Sequence, residues 1–206
     1  AGIASMTRGV GSLLAFLAVP MLVARFGTRS VLFVGILLSA LALWQMGQFD
    51  LSMTARPIEI AGFVQGVGTG LLFAPLNTLA YAKLAPIHRT EGTIVATMAR
   101  SLGSSAGISL LQAMLIRDSA AAHAGLATHI TVTDPVLRWV MPPMFDLQSI
   151  PGLSALNGEV TRQGTMISYD ALFSGMAVGC LFLAPTLLLL KPPRGPPPAG
   201  PEMVAD

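Results

Sequence analysis

Five stretches of this chain run for roughly twenty residues each with almost no charge: about 3–24, 31–48, 58–82, 92–116 and 167–190. A helix of that length crosses the hydrocarbon of a bilayer, about 30 Å thick. In lipid every backbone N–H and C=O must be satisfied within the segment, so such runs are helices. The expected fold class is therefore all-α: a polytopic membrane helix bundle of about five transmembrane helices, with the bilayer as its first partner. Composition agrees. Hydrophobic residues make up 53% of the chain and charged residues 11%. Soluble domains carry about 25% charged residues, so too few charges are present to coat a water-facing surface.

The same residues exclude several function classes. The net charge is +2 and no basic run occurs, so no nucleic-acid partner is expected. Cys180 is the single cysteine, which rules out an intrachain disulfide, and it reads as a packing residue. His88, His123 and His129 lack metal-ligand spacing, so no metal is expected. No Ser-His-Asp pattern, P-loop or dinucleotide loop is present, and the glycine clusters sit in apolar helices. Neither an enzyme activity nor a cofactor is indicated.

Short polar turns join the spans at Arg25–Arg29, at 49–57 and at 83–91. The one long hydrophilic stretch, 117–164, is broken by Asp134-Pro135, Pro142-Pro143 and Pro151-Gly152. The Pro-rich tail, 192–206, is expected to be extended and disordered. Arg25, Arg29, Lys83, Arg89, Lys191 and Arg194 fall on one side of a five-span arrangement. Arg56, Arg117, Arg138 and Arg162 fall on the other, three of them in the long loop, where charge bias counts least. The first side, with the C-terminus, is therefore expected to be cytoplasmic, and 117–164 to face outward. An odd span count puts Ala1 outside. Ala1 is no initiator methionine and no signal peptide follows it, so helices are expected upstream.

Within the spans, Gly62, Gly66 and Gly70 recur at four-residue spacing, as do Gly103 and Gly107 and also Gly175 and Gly179. Glycine at i and i+4 strips one helix face, so backbones approach closely. Two readings stand: static packing, or smooth faces that let helices rock during alternating access. Arg100 lies about eight residues inside the fourth span, roughly 12 Å by helical rise. A charge there faces a cavity or snorkels to the interface. Arg8 poses the same choice in the first span. Gln65, Asn77 and Gln112 are amides that either line a path or join helices. Glu59 and Asp170 sit at span ends and read as interfacial groups.

The order of these features resembles the C-terminal portion of the fourteen-span drug:proton antiporters of the major facilitator superfamily, the EmrB/QacA-like group. The stretches that carry the resemblance are Arg8-Gly-Val-Gly-Ser12, Arg25-Phe-Gly-Thr-Arg29, Gln65-Gly-Val-Gly68, Phe73-Ala-Pro-Leu-Asn77, Arg89-Thr-Glu-Gly-Thr93, Arg100-Ser-Leu-Gly-Ser-Ser105 and Gln163-Gly164. They span nearly the whole chain.

The resemblance implies a secondary active multidrug efflux transporter of the bacterial inner membrane. It exchanges amphipathic small-molecule drugs for protons through a cavity between two helical bundles. Arg8, Gln65, Asn77, Arg100 and Gln112 would then be cavity residues. Arg25, Arg29, Arg89 and Glu91 would form cytoplasmic gating turns. A periplasmic membrane-fusion adaptor is an implied partner, with 117–164 as its contact. The family's antiporter motif and first cytoplasmic loop motif are absent here, so this stretch by itself is not expected to transport. The alternatives are a non-transporting accessory or truncated bundle, or a metabolite transporter on the same fold.

Overall fold

The computed structural model describes residues 2–81, 89–130, 145 and 149–185. The Lys83 and His88 part of one turn, the loop centre with Asp134-Pro135 and Pro142-Pro143, Lys191, Arg194 and the tail 192–206 lie outside the described residues. Four helices make up the fold: α1 Gly2–Met46, α2 Ala55–Tyr81, α3 Arg89–Thr128 and α4 Ile150–Leu183. All four are long and apolar enough to cross a membrane, and no strand occurs among the described residues. The chain is an all-α membrane helix bundle.

α1 holds two of the apolar runs. Gly27 breaks it with φ 80° and ψ 157°, a backbone region that only glycine occupies without strain. The expected turn at Arg25–Arg29 is thus compressed to one residue. The arms on either side, 2–26 and 28–46, are each long enough to span the hydrocarbon at 1.5 Å per residue.

α2 lies against both arms. It runs alongside the first, where Gly66 and Gly70 meet the backbone of Arg8 and Ser12, and Gly11 meets that of Phe63. It runs opposite the second, where Gly68 meets Ser39 and Gly35 meets Leu72. Ala15, Val19, Val31 and Leu71 form the buried centre. Gly62, Gly66 and Gly70 are all buried, and at Gly66 and Gly70 the two backbones approach closely. Gly103, Gly107, Gly175 and Gly179 have open space where a Cβ would stand.

α4 runs antiparallel to the second arm. Gly47 packs against Ser174 and the Asp170 carbonyl, and Leu32 and Ile36 pack against Ala184 at the other end. α3 runs antiparallel to α4, with the backbone of His123 over Gly164 and its Nε2 hydrogen-bonded to Asn157 Oδ1 at 3.0 Å. The chain direction therefore alternates over five passes. Hydroxyls within the helices turn back on the backbone: Thr69 donates to Gln65 O, Thr97 to Thr93 O and Ser168 to Gly164 O, at 2.7–2.8 Å. In lipid this satisfies each hydroxyl without a partner from another helix.

The ends of 117–164 differ from the expected loop. α3 continues unbroken to Thr128 and α4 begins at Ile150. The residues 118–124 are rich in alanine, the best helix former. At the other end Pro151 and Gly152, expected to break structure, stand in the first turn of α4. Ser149 caps that turn, its Oγ accepting from the Gly152 N–H at 3.1 Å. Proline there gives up an N–H that has no helical acceptor anyway. From the His123–Gly164 contact, the antiparallel register sets Arg117 level with Asp170, beside Gly47 and the turn that follows it. Residues beyond that level extend α3 by about 16 Å and α4 by about 30 Å past the bundle, by helical rise.

Candidate functional site

α2 and α3 are nearly separate, and one cluster joins them. Arg100 Nη2 donates to Asn77 Oδ1 at 2.8 Å, and its guanidinium carbon stands 5.1 Å from the centre of the Phe73 ring. Phe73 and Asn77 are four residues apart on one face of α2. Pro75, fully buried between them, has no N–H to give to the carbonyl four residues back, which loosens the helix at that turn. The sequence thus sets a cation–π face and an amide acceptor on either side of a weakened turn, and both hold the same arginine.

The face of α3 next to Arg100 carries hydroxyls. Thr90, Thr93, Thr97 and Ser101 line an open groove of about 780 Å³ together with Ile94, Met98 and Leu102. Thr97 stands three residues before Arg100, one turn along the surface, so the arginine borders the groove without lining it. The wall is hydroxyl-bearing on one side and aliphatic on the other. Such a surface fits a molecule with an apolar body and a small polar head.

The structure separates the other cavity candidates from this cluster. Counting from the Arg100–Asn77 contact, Gln112 on α3 and Gln65 on α2 stand at one level, roughly 18 Å away by helical rise. Arg8 is near that level too, since its carbonyl meets Gly66. The side chains of Arg8 and Gln112 are exposed and that of Gln65 is half-buried. No hydrogen bond joins the three among the described residues. The candidates therefore form two tiers, and contacts tie together only the tier of Arg100 and Asn77.

At the turns, Arg25 and Arg29 are exposed on either side of Gly27, and the Arg25 guanidinium lies 5.6 Å from the Phe26 ring centre. Arg89 opens α3, and Glu91 stands in its first turn, where the helix dipole favours an acidic group. No cluster of His, Cys, Asp or Glu able to hold a metal occurs among the described residues.

Sequence reasoning missed the role of Phe73 and the hydroxyl stripe of α3. The stripe was visible in the spacing of Thr90, Thr93, Thr97 and Ser101. The Phe73 contact depends on how two helices cross. Asp170, read as an interfacial group, is half-buried; among the described residues its Oδ1, like Ser39 Oγ, is buried without a hydrogen-bond partner.

No protein-family model matches the chain. Curated relatives do. It is 28% identical over 154 residues to the multidrug export protein EmrB of Haemophilus influenzae, covering 74% of this chain and 30% of the relative. It is 26% identical over 178 residues to the fatty acid resistance protein FarB of Neisseria gonorrhoeae, covering 84% and 35%. It is 25% identical over 154 residues to the probable multidrug resistance protein EmrY of Escherichia coli K12, covering 73% and 30%. The chain spans about a third of the length of the curated relatives it matches. Its homologues are thus bacterial multidrug export and resistance proteins, in line with the resemblance read from the motifs.

Proposed function

We propose that this stretch is the C-terminal part of a secondary active multidrug exporter, which moves amphipathic small molecules outward in exchange for protons by alternating access. The similarity to multidrug export proteins over about three quarters of an all-helical membrane chain carries this reading. The bundle's construction supports it. Both arms of α1 and α2 are locked by glycine contacts into one unit. α3 touches that unit chiefly through Arg100, and its Gly103 and Gly107 meet nothing within 4 Å. Its other attachment is to α4, at the His123–Gly164 contact, so its end near Arg100 can change its angle while the locked unit stays fixed.

In this reading Arg8, Gln65, Asn77, Arg100 and Gln112 border the substrate path in two tiers. Arg25, Arg29, Arg89 and Glu91 belong to cytoplasmic turns, and the C-terminus is cytoplasmic. The protruding ends of α3 and α4 are then the surface offered to a periplasmic membrane-fusion adaptor.

The test uses the full-length protein, expressed in an efflux-deficient bacterial strain and assayed for accumulation of neutral, anionic and cationic amphiphilic dyes. Accumulation of at least one class should fall, and collapsing the transmembrane proton gradient should restore it. Unchanged accumulation across all three, with the protein present in the membrane, overturns the proposal.

A further inference from the structure

We propose that the break at Gly27 is a binding site for an anionic phospholipid. Its phosphate sits at Arg29, and its acyl chain lies in the groove between the second arm of α1 and α4. The lipid is a resident ligand and not cargo. The inference needs only the membrane bundle, so it stands or falls independently of the export reading.

The charge balance of α1 is the first observation. The helix carries Arg8, Arg25 and Arg29, and no Asp or Glu occurs before Asp50. Arg25 and Arg29 are exposed, and neither makes an ion pair among the described residues. α1 packs on α2 and α4 and makes no contact with α3, which carries Glu91. The acids of α2 and α4 are Glu59, Glu159 and Asp170. All three stand roughly 20 Å or more from the level of Arg29 by helical rise. The two cations therefore lack a counter-charge from the helices that α1 touches.

Phe26 is the second observation. It lies between the two cations, is 58% exposed, and its ring centre is 5.6 Å from the Arg25 guanidinium. The ring steadies Arg25 by a cation–π contact without supplying an acceptor oxygen. An exposed aromatic flanked by basic residues at the end of a span suits the headgroup level of a bilayer. A phosphate there accepts charge-assisted hydrogen bonds from guanidinium N–H groups.

The third observation is what lies beneath Arg29. Arg29, Phe33 and Leu37 recur every four residues and share one face of the second arm. Phe33 and Leu37 are both exposed. That face leads into an apolar groove of about 260 Å³, between Leu37, Leu41 and Trp44 of α1 and Val178 and Leu181 of α4.

The dimensions select the occupant. Leu37 lies about 12 Å deeper than Arg29, and Leu41 about 18 Å, by helical rise. The hydrocarbon of one leaflet is about 15 Å deep, half of the bilayer core. A chain whose phosphate is at Arg29 thus ends inside the groove. From Leu37 to Trp44 the groove runs about 10 Å, so its mean section is roughly 25 Å². A helix, 10–12 Å across, needs about 80 Å² or more. A hydrocarbon chain fits where a helix of a second copy does not, and it bridges the seam between α1 and α4.

The experiment uses the full-length protein in nanodiscs of dioleoyl phosphatidylcholine with a minor fraction of dioleoyl phosphatidylglycerol. Phe33 is replaced by photoreactive benzoylphenylalanine, and whatever it captures is identified by mass spectrometry. Phosphatidylglycerol should be captured about fivefold above its share of the bilayer, the gain expected from one basic residue near an anionic surface. Arg29→Gln should remove most of that enrichment. Arg29→Lys, which still meets phosphate as a point charge, should keep most of it. Both arginine side chains are exposed, so these changes leave the packing intact, and the yield of each variant in the membrane checks that.

Capture in proportion to the bilayer overturns the site, as does enrichment unchanged in Arg29→Gln. Glycerol 3-phosphate in excess separates a lipid from a free phosphate. Enrichment that withstands it supports the lipid, and enrichment that it abolishes overturns the lipid. Capture of a second copy of the chain in place of lipid overturns the assignment of the groove.

Discussion

The α-carbon of Gly66 faces the backbone carbonyl of Arg8 so closely that a methyl group has no room between them. The obstruction is backbone, which no rotamer change can move aside. Gly66→Ala should therefore force α2 away from the first arm of α1, at a cost of about 1–3 kcal/mol. Gly125→Ala is the contrast: nothing lies near that position, and removing a mid-helix glycine should gain up to about 1 kcal/mol. Thermal midpoints of the full-length variants in detergent check both signs.

Gly27 makes a different prediction, because nothing surrounds it within 4 Å. Any penalty for Gly27→Ala comes from the backbone alone. At φ 80° and ψ 157° a Cβ costs about 1–3 kcal/mol. The variant should show a lower thermal midpoint and a lower yield of protein in the membrane. A midpoint equal to that of the parent would mean that the arms of α1 can join in another conformation.

The α3–α4 contact depends on a missing side chain and one polar bond. Gly164→Leu should push α4 away from the backbone of His123, which stands 3.1 Å from where a Cβ would begin. His123→Ala loses only the bond to Asn157, about 0.5–1.5 kcal/mol. Amide hydrogen exchange in 119–127 should accelerate in both variants, and more in Gly164→Leu.

A pH dependence is expected in the turn between α1 and α2. The Ser52 backbone N–H, and after it the Ser52 hydroxyl, hydrogen-bond to the Asp50 carboxylate and hold its pKa below the ordinary 3.8. For an acid with a depressed folded value, the stabilisation is full above the unfolded pKa. It is lost as pH falls through the folded value. The turn should therefore be insensitive to pH from neutrality down to about 4 and loosen below that. Carbon-13 titration of labelled aspartate follows it, and Ser52→Ala should move the Asp50 midpoint upward.

How much of this was legible in the sequence depends on the range of the interaction involved. The helices were legible because each must satisfy its own backbone in lipid, a local requirement that long apolar runs announce. The break near Gly27 was legible from the basic turn around it, though not its reduction to one residue. The helical ends of 117–164 were obscured because polarity there was read as loop. The alanines of 118–124 and the Ser149–Pro151 start were the available signals.

Arg100 and Asn77 were each singled out because polar groups in apolar runs are expensive. Their pairing was not legible. It joins residues far apart in sequence through the crossing of two helices, and one hydrogen bond leaves no periodic trace. The burial of one Asp170 oxygen was not legible for the same reason: its surroundings come from α1 and the turn after it, distant in sequence.

The length of α3 turns the helix into a lever. Its 40 residues make a rod of about 60 Å with no interruption between the hydroxyl groove and the protruding tip. Thr128 lies roughly 42 Å from Arg100 by helical rise. A tilt of about 5° pivoting at Arg100 therefore sweeps the tip through roughly 4 Å. A change of angle at the exposed Arg100 is thus passed to the tip of α3 as a mechanical stroke, with no loop to rearrange on the way.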